Sequence, residues 1–260
     1  MKPSRALETI MPWMVTVGIF IVWEIGCRAF NVPAFILPRP TVFIEVLLRL
    51  YDPILHHAEQ TLFTTVLGFG FAVVFGVLGG IAIGASPWVY DSAYPLLVGF
   101  NSIPKVAVVP VLVIWFGIGS VPAVITAFMI SVFPIIVNVA TGIATVEPEL
   151  RDVLRALGAT PIQILLKVGL PRSLPLLFAS LKIAITLAFI GSVISETVAS
   201  NEGIGYLMVA ASSRFEVPLV FAGLIVVAVM GVAMYAIFAV LEQRMTRWAF
   251  RGSPPAMIAT

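Results

Sequence analysis

The chain has 260 residues, of which 60% are hydrophobic and 11% are charged, and its mean hydropathy is +1.08. A water-soluble domain has about 45–50% apolar and about 25% charged residues, so this composition indicates a protein with several membrane spans. The net charge of +2 is too small to indicate nucleic-acid binding. The single cysteine, Cys27, excludes an internal disulfide framework and a cysteine-rich metal site.

Apolar runs long enough to cross a membrane divide the chain. Crossing about 30 Å of hydrocarbon takes roughly 20 apolar residues in a helix. We predict six such helices, at residues 11–29, 60–85, 93–116, 121–142, 176–198 and 218–240. Lys2 and Arg5 precede the first run as in a signal peptide, but no A-x-A cleavage motif follows, so we expect a retained membrane helix. The predicted fold class is an all-α membrane protein.

Shorter segments connect these runs. Residues 41–50 have the pattern of a short amphipathic helix that lies at the membrane interface. The stretch SPWVYDS at 86–92 separates the second and third runs, and GIGS at 117–120 predicts a tight turn. We therefore expect three units: an N-terminal helix and interfacial segment over 1–59, a five-span core over 60–250 and a tail over 251–260.

The distribution of lysine and arginine predicts the orientation. If the N-terminus is cytoplasmic, six spans return the C-terminus to the cytoplasm. Ten basic residues then lie on the cytoplasmic side: Lys2, Arg5, Arg151, Arg155, Lys167, Arg172, Lys182, Arg244, Arg247 and Arg251. Four lie on the outer side: Arg28, Arg39, Arg49 and Arg214. This bias favours cytoplasmic termini and makes 143–175 the largest cytoplasmic loop.

The 143–175 loop combines charged residues with a helical pattern. Apolar residues recur at helical spacing, at Leu150, Val153, Leu154 and Leu157. Gly158 is expected to end this helix, and Thr160 followed by Pro161 predicts the start of a second one. A short surface helix of this kind either presents a contact for another protein or merely connects two spans, and the pattern leaves both open.

The loop resembles the E-A-A-x3-G-x9-I-x-L-P motif of permease subunits of bacterial ATP-binding cassette (ABC) importers. Asp152-Val153-Leu154 stand in place of E-A-A, Gly158 fits the glycine, and Val168-Gly169-Leu170-Pro171 follow at the matching spacing. Four further stretches look like the nitrate, sulfonate, taurine and bicarbonate branch of these permeases: LPRPTVF (37–43), VLGFGFAVVFGVLGGIAIG (66–84), SIPKVAVVPVLVIWFGIG (102–119) and ASNEGIGYLM (199–208).

The resemblance implies a type I ABC importer permease fold with six transmembrane helices and a cytoplasmic coupling helix. It implies a non-catalytic inner-membrane subunit without a cofactor, with Mg-ATP bound by a separate ATPase; no G-x-x-x-x-G-K-[ST] motif occurs in the chain. The other implied partners are a second permease copy, a periplasmic binding protein and membrane lipid. The implied ATPase contacts are Glu149, Asp152, Val153, Leu154, Arg155, Ala156, Leu157, Gly158, Ala159 and Pro171.

The resemblance also implies a substrate class, a small anionic nutrient such as a sulfonate, taurine or nitrate. The alternative within the family is a pyrimidine or thiamine precursor. Outside the family, an ion-coupled secondary transporter is disfavoured because the acidic residues cluster in loops and at span ends. A membrane enzyme is disfavoured because no paired carboxylates, histidine-rich box or serine–base arrangement has useful spacing.

Polar residues within the apolar runs are candidates for lining the transport path. They are Asn101, Ser102, Lys105, Ser131 and Asn138. An ionisable group at membrane depth is costly and usually faces a cavity or the bundle interior. Lys105 is therefore either a cation that attracts anions into the path, or a group that lies shallow or pairs with a carboxylate. For the other four residues, hydrogen bonds between helices are the alternative explanation.

A few remaining residues carry structural predictions. The glycines of 68–84 recur every three to four residues, which predicts close helix packing. Glu24 and Glu196, near span ends, are expected to be packing or interface anchors, and His56 and His57 to be interfacial loop residues. Four tryptophans are predicted to lie at the membrane interfaces, namely Trp13, Trp23, Trp88 and Trp248.

Overall fold

The computed structural model describes residues 5–246, and every regular element in that stretch is helical. The helices are α1 (Arg5–Ala29), α2 (Pro40–Arg49), α3 (Tyr51–Gly84), α4 (Pro87–Ser102), α5 (Val109–Phe116), α6 (Ser120–Ala144), α7 (Pro148–Ala156), α8 (Pro161–Ile164), α9 (Leu170–Ala199), α10 (Ile204–Ser213) and α11 (Val217–Met245). A 3₁₀ turn at Lys105–Val108 leads into α5, and a π-helical turn at Leu165–Gly169 joins α8 to α9. Predictions for Lys2, Arg247, Trp248, Arg251 and the 251–260 tail lie outside the described residues.

Five helical stretches are long and apolar enough to cross a membrane, and they confirm five of the six predicted spans. They contain α1, α3, α6, α9 and α11. Helix α3 begins at Tyr51 rather than at residue 60, so it includes residues 51–59 of the segment that was expected at the interface. The short helix predicted at 41–50 is confirmed as α2, which buries Phe43.

The third predicted span, 93–116, is not one continuous helix. Helices α4 and α5 together have the length and hydropathy of a span, but they are bent by 70° at the break between them. The cause is Pro104, which disfavours helical backbone at the preceding residue, and Ile103 accordingly has an extended conformation with φ −70° and ψ 128°. The predicted span therefore corresponds to a bent pair of helices, and the break was not predicted because hydropathy was weighed above this proline signal.

Helices α3, α6 and α9 form the centre of the bundle. Along α3, Gly68 lies against Ala127 and Gly84 lies against Ala140, so α3 and α6 run in the same direction. Helix α9 runs the opposite way, and its Ser173 touches the Gly142 end of α6. The broken span α4–α5 follows α3 in the sequence and takes the chain back across the bundle, so that α6 starts at the same end as α3.

Four of the glycines between residues 68 and 84 mediate the contact of α3 with α6. A Cβ atom added at Gly68, Gly76 or Gly80 would lie 2.6–2.7 Å from a Cβ atom of α6, and one at Gly84 would lie 2.7 Å from a carbonyl oxygen. Close packing is therefore confirmed for these four. The prediction of close packing was wrong for two others. A Cβ atom added at Gly79 would lie at an ordinary 3.6 Å from the Ile136 side chain, and one added at Gly70 would have nothing within 4 Å.

The bundle has two distinct ends, named here for the short helix that each carries. At the α7 end lie the C-termini of α3 and α6 and the N-terminus of α9. Helix α11 packs antiparallel to α9, with Gly231 beside Phe189 and an ion pair between Glu242 and Lys182, so Met245 also lies at the α7 end. Lys182, counted above among the basic residues of the cytoplasmic side, therefore lies within the bundle, in α9. The α10 end carries the N-termini of α3 and α11.

Helix α1 contacts the rest of the chain mainly through its C-terminal turns, at the α10 end. Glu24 pairs with Arg28 at 2.7 Å and accepts a hydrogen bond from the Thr41 amide at 3.1 Å, which confirms its role as a packing anchor. Trp23 packs against Phe43 and Phe221, with ring centroids 5.6 Å away in each case. The N-terminus of α1 consequently points to the α7 end, and most of its other large apolar side chains are exposed.

The α3–α6 contact predicts the effect of adding a single methyl group. Gly80→Ala should lower the melting temperature of the purified protein, because the new Cβ would lie 2.6 Å from Cβ of Val139 and 2.9 Å from the Ile136 carbonyl oxygen. Overpacking of this kind costs about 1–3 kcal/mol. Gly70→Ala is the matched control, since it brings the same gain in helix propensity in open space. Equal melting temperatures would contradict the packing assigned to Gly80.

Candidate coupling surface and transport path

Helix α7 begins and ends where the sequence predicts. Pro148 occupies its first turn, where a missing amide proton costs nothing, and acidic Glu149 suits the positive end of the helix dipole. At its end, Gly158 has φ +81°, a conformation that side-chain-bearing residues rarely adopt. The Gly158 amide donates to the Arg155 carbonyl at 2.9 Å and the Ala159 amide to the Leu154 carbonyl at 3.0 Å. These two bonds form a Schellman motif, which confirms Gly158 as the helix stop.

The second helix of the loop starts at the predicted residue. The Thr160 hydroxyl accepts a hydrogen bond from the Gln163 amide at 3.3 Å, while the Gln163 side chain accepts one from the Thr160 amide at 2.9 Å. This reciprocal pair is a capping box with Pro161 at the first helical position. Thr160 is thus confirmed as the N-cap, and only Gly158 and Ala159 separate it from Leu157, the C-cap of α7.

Helix α7 is fixed to the bundle by two arginines. The Arg151 guanidinium donates to the carbonyl oxygens of Ile143 at 2.7 Å and Ala144 at 3.2 Å, both at the C-terminus of α6, where carbonyl groups lack helical partners. Arg172, in the first turn of α9, forms an ion pair with Glu147, which directly precedes α7. These contacts connect α7 directly to α6 and α9.

The outer face of α7 is apolar although the helix is not covered. Val153 is 56% exposed and Leu157 is 78% exposed, and both lie among the charged side chains of Asp152 and Arg155, which pair at 3.4 Å. We name the exposed residues of this face the coupling surface: Glu149, Asp152, Val153, Arg155, Ala156, Leu157 and Gly158. An exposed apolar patch rimmed by charges is typical of a protein–protein contact.

The structure separates the remaining predicted ATPase contacts from the coupling surface. Leu154 and Ala159 are half-buried under it, and Pro171 lies half-buried in the first turn of α9. Ile162 was not among the predicted contacts; it lies between Thr160 and Gln163, the two residues of the capping box, and is 67% exposed. Its signal in the sequence was an isoleucine at the second position of a capped helix within a charged loop.

Lys105 lies at the bend between α4 and α5. Its ammonium group donates to the Asn101 side-chain oxygen at 2.8 Å and to the Asn101 carbonyl at 3.2 Å, and it lies 5.9 Å from the centre of the Phe133 ring. Among the residues that the structure describes, no carboxylate forms an ion pair with it. The bend thus presents a cation with neutral hydrogen-bond acceptors and an aromatic face beside it.

The other candidates for the transport path fall into two groups. Ser102 is exposed beside Lys105, and its hydroxyl donates to the Val98 carbonyl at 3.1 Å. In α6, Asn138 is half-buried and donates to the Pro134 carbonyl at 2.8 Å, whereas Ser131 is completely buried and donates to the Ala127 carbonyl at 2.6 Å. Each of these bonds joins two residues of the same helix. The side chains therefore do not form the bonds between helices that were the alternative explanation.

Two residues expected near span ends have partners in other elements. Glu196 is only 2% exposed and its carboxylate lies inside the bundle near the α10 end, so of the two expected roles it is a packing anchor rather than an interface anchor. His57 lies within α3 rather than in a loop, and its ring nitrogen accepts a hydrogen bond from the Gly203 amide. The partners of both residues are distant in the sequence, which is why no local pattern indicated them.

Comparisons with known proteins agree with this architecture. The family described as binding-protein-dependent transport system inner membrane component matches residues 72–247. The chain is 29% identical to the formylaminopyrimidine transport permease protein of Halalkalibacterium halodurans, over 94% of this chain and 98% of the relative. It is 27% identical to the taurine transport system permease protein of Escherichia coli, over 95% and 92% of the two chains.

A solved structure shows the same fold. Inward-facing conformations of the methionine ABC transporter MetNI superpose on 76% of this chain and 99% of the matched chain, with a TM-score of 0.67 and 20% sequence identity. The type I importer permease fold predicted from the coupling motif is thereby confirmed. The family match covers most of the chain, and the chain therefore belongs to the binding-protein-dependent transport system inner membrane components, as a multi-pass ABC importer permease.

Proposed function

We propose that this chain lines the membrane path of an ATP-driven importer as a homodimer, with a separate ATPase subunit bound to each coupling surface. The observation that carries the proposal is the pair Val153 and Leu157, which are exposed on a helix firmly held by the bundle. The ATPase subunits bind and hydrolyse Mg-ATP, while this chain supplies no catalytic group. A periplasmic binding protein delivers the substrate at the α10 end.

The coupling works through differential binding. A ligand shifts a conformational equilibrium only if it binds the two states unequally, so the ATP-bound ATPase pair must favour one arrangement of the two coupling surfaces. Arg151 and the Arg172–Glu147 ion pair connect each surface to α6 and α9. Movement of α7 therefore reorients two of the three central helices instead of being absorbed in a loop.

The orientation follows from the distribution of charge. The α7 end carries the basic residues of the loop and of the end of α11, so it faces the cytoplasm. The described ends of the chain, near Arg5 and Met245, lie at that same end. We therefore infer that both described ends of the chain face the cytoplasm.

A charge introduced on the coupling surface tests the ATPase contact. Leu157→Arg should abolish co-purification of the ATPase subunit and substrate uptake, because it places a charged group in an apolar contact. Asn201→Arg is the control, since it adds the same side chain at an exposed residue of the α10 end. Retention of the ATPase by Leu157→Arg, or uptake that continues without any ATPase subunit, would contradict the proposal.

The substrate that the structure favours is a small anion. Lys105 is a cation without a carboxylate partner among the described residues, and it lies at a bend within a span, where an uncompensated charge is costly. An anionic substrate passing the bend would supply the missing counter-charge. The taurine relative fits this class by its name, and the formylaminopyrimidine relative keeps a pyrimidine or thiamine precursor as the second candidate.

Lys105 variants test the substrate class. Lys105→Ala should raise the apparent KM for an anionic substrate by about tenfold, equivalent to about 1.4 kcal/mol, and Lys105→Arg should restore most of the loss because it keeps the charge. Lys167→Ala, at an exposed lysine of the α7 end, is the control. An unchanged KM in Lys105→Ala, with normal expression and normal ATP hydrolysis, would remove Lys105 from the path.

A further inference from the structure

A buried polar cluster connects three helices at the α10 end. Glu196 of α9 is 2% exposed, and Thr61 and Thr64 of α3 and Ser192 of α9 are completely buried. The Glu196 carboxylate accepts a hydrogen bond from Thr61 at 2.8 Å and lies 3.4 Å from the Thr64 hydroxyl, which also contacts Ser192. A carboxylate inside an apolar bundle is costly unless it is well hydrogen-bonded, and this one is surrounded by hydroxyl groups.

The cluster also supplies the N-terminal caps of α10. The first amides of a helix have no partner within the helix, and the residue before α10 is a glycine, which offers no side chain. The Gly203 amide donates to His57 Nδ1 at 3.1 Å, the Ile204 amide to Thr61 Oγ1 at 2.8 Å, and the Gly205 amide to Glu196 Oε2 at 3.1 Å. Three consecutive amides, that of Gly203 directly before α10 and those of its first two residues, are thus held by side chains of α3 and α9.

The glycines of the G-I-G stretch allow this close approach. A Cβ atom at Gly203 would lie 2.2 Å from the carboxyl carbon of Glu196, and one at Gly205 would lie 2.4 Å from the Val193 carbonyl oxygen. Gly203 also has φ +101°, which disfavours any other residue. We name this arrangement the Glu196 anchor: His57, Thr61, Thr64, Ser192 and Glu196 with the amides of 203–205.

Glu196 and the coupling surface are connected by one helix. Helix α9 has 30 residues and is therefore about 45 Å long. Arg172 in its first turn pairs with Glu147 beside α7, and Glu196 in its last turn holds the start of α10. The same helix thus contacts both ends of the proposed transport machinery.

We propose that Glu196 is a positioning residue that ties α10 to α9, so that displacement of α7 by the ATPase reaches the end of the bundle where substrate enters. This inference rests on the proposed function and adds the element that moves at the opposite end. Without the anchor, α9 moves while the N-terminus of α10 is left behind, and substrate loading is uncoupled from ATP hydrolysis.

Helix α10 keeps a second attachment that makes the proposal testable. Ile204 and Ala211 pack with Ile54 of α3 and with Leu219 and Ala222 of α11 in a buried apolar cluster. This contact does not involve the carboxylate, so α10 remains folded on the bundle when Glu196 is replaced. The expected defect is therefore in coupling rather than in assembly.

The experiment uses the complete importer in proteoliposomes, with ATPase subunits and the binding protein of the same transport system. Glu196→Ala should lower uptake and the stimulation of ATP hydrolysis by loaded binding protein by about tenfold, while basal hydrolysis and complex assembly stay normal. Glu196→Gln should lose less, because the amide oxygen still accepts from Gly205. Glu45→Gln, at an exposed acid of α2, is the matched control and should behave as wild type.

Amide hydrogen exchange gives a readout that does not depend on transport. Peptides covering residues 203–207 should exchange faster in Glu196→Ala than in wild type and Glu45→Gln. Normal stimulation of ATP hydrolysis in Glu196→Ala, or unchanged exchange, would overturn the proposal. If the Glu196→Ala importer does not assemble, the same two measurements are made on Thr61→Val. This variant removes only the hydroxyl that bridges Glu196 and the Ile204 amide, and the result decides the proposal. A wild-type complex without any stimulation would instead contradict the proposed function, and the exchange data would still decide the anchor.

Discussion

The contact between α3 and α6 is the constraint on which the rest of the structure depends. Two parallel helices approach closely because Gly68, Gly76, Gly80 and Gly84 bring no side chain to the contact. In lipid, helices gain little from hiding apolar surface, so close van der Waals packing must hold them together. Because these two helices run in the same direction, the intervening chain has to cross back, and the broken span α4–α5 makes that crossing with its bend beside Lys105.

The two arginines at the α7 end and the carboxylate at the α10 end solve the same physical problem. Helix termini leave backbone groups without partners, and a membrane protein has little water to satisfy them. Arg151 covers the carbonyl groups that end α6, and Glu196 covers an amide that begins α10. In both places the group that satisfies the backbone belongs to another helix, so capping and helix-to-helix attachment are the same interaction. The proposed coupling requires helices that move together.

The success of prediction from the sequence depended on how far apart the interacting residues lie. The stop at Gly158 and the cap at Thr160 use partners within five residues, and both were predicted. The spans were predicted because lipid imposes a length and a composition that single runs display. The role of Glu196 was missed because its partner Thr61 lies 135 residues earlier in the chain. The break at Pro104 was visible in the sequence but was outweighed by the apolar residues around it.

The aromatic contact of Trp23 has a consequence for biogenesis. Trp23 belongs to α1, the first of the described helices to leave the ribosome, whereas its neighbour Phe221 belongs to α11, the last of the described helices to be made. Until α11 has been inserted, α1 is attached to the nascent protein chiefly through α2, by the bonds between Glu24 and Thr41. Among the described helices, the packing of α1 through Trp23 is therefore complete only after α11 has been inserted in the bilayer.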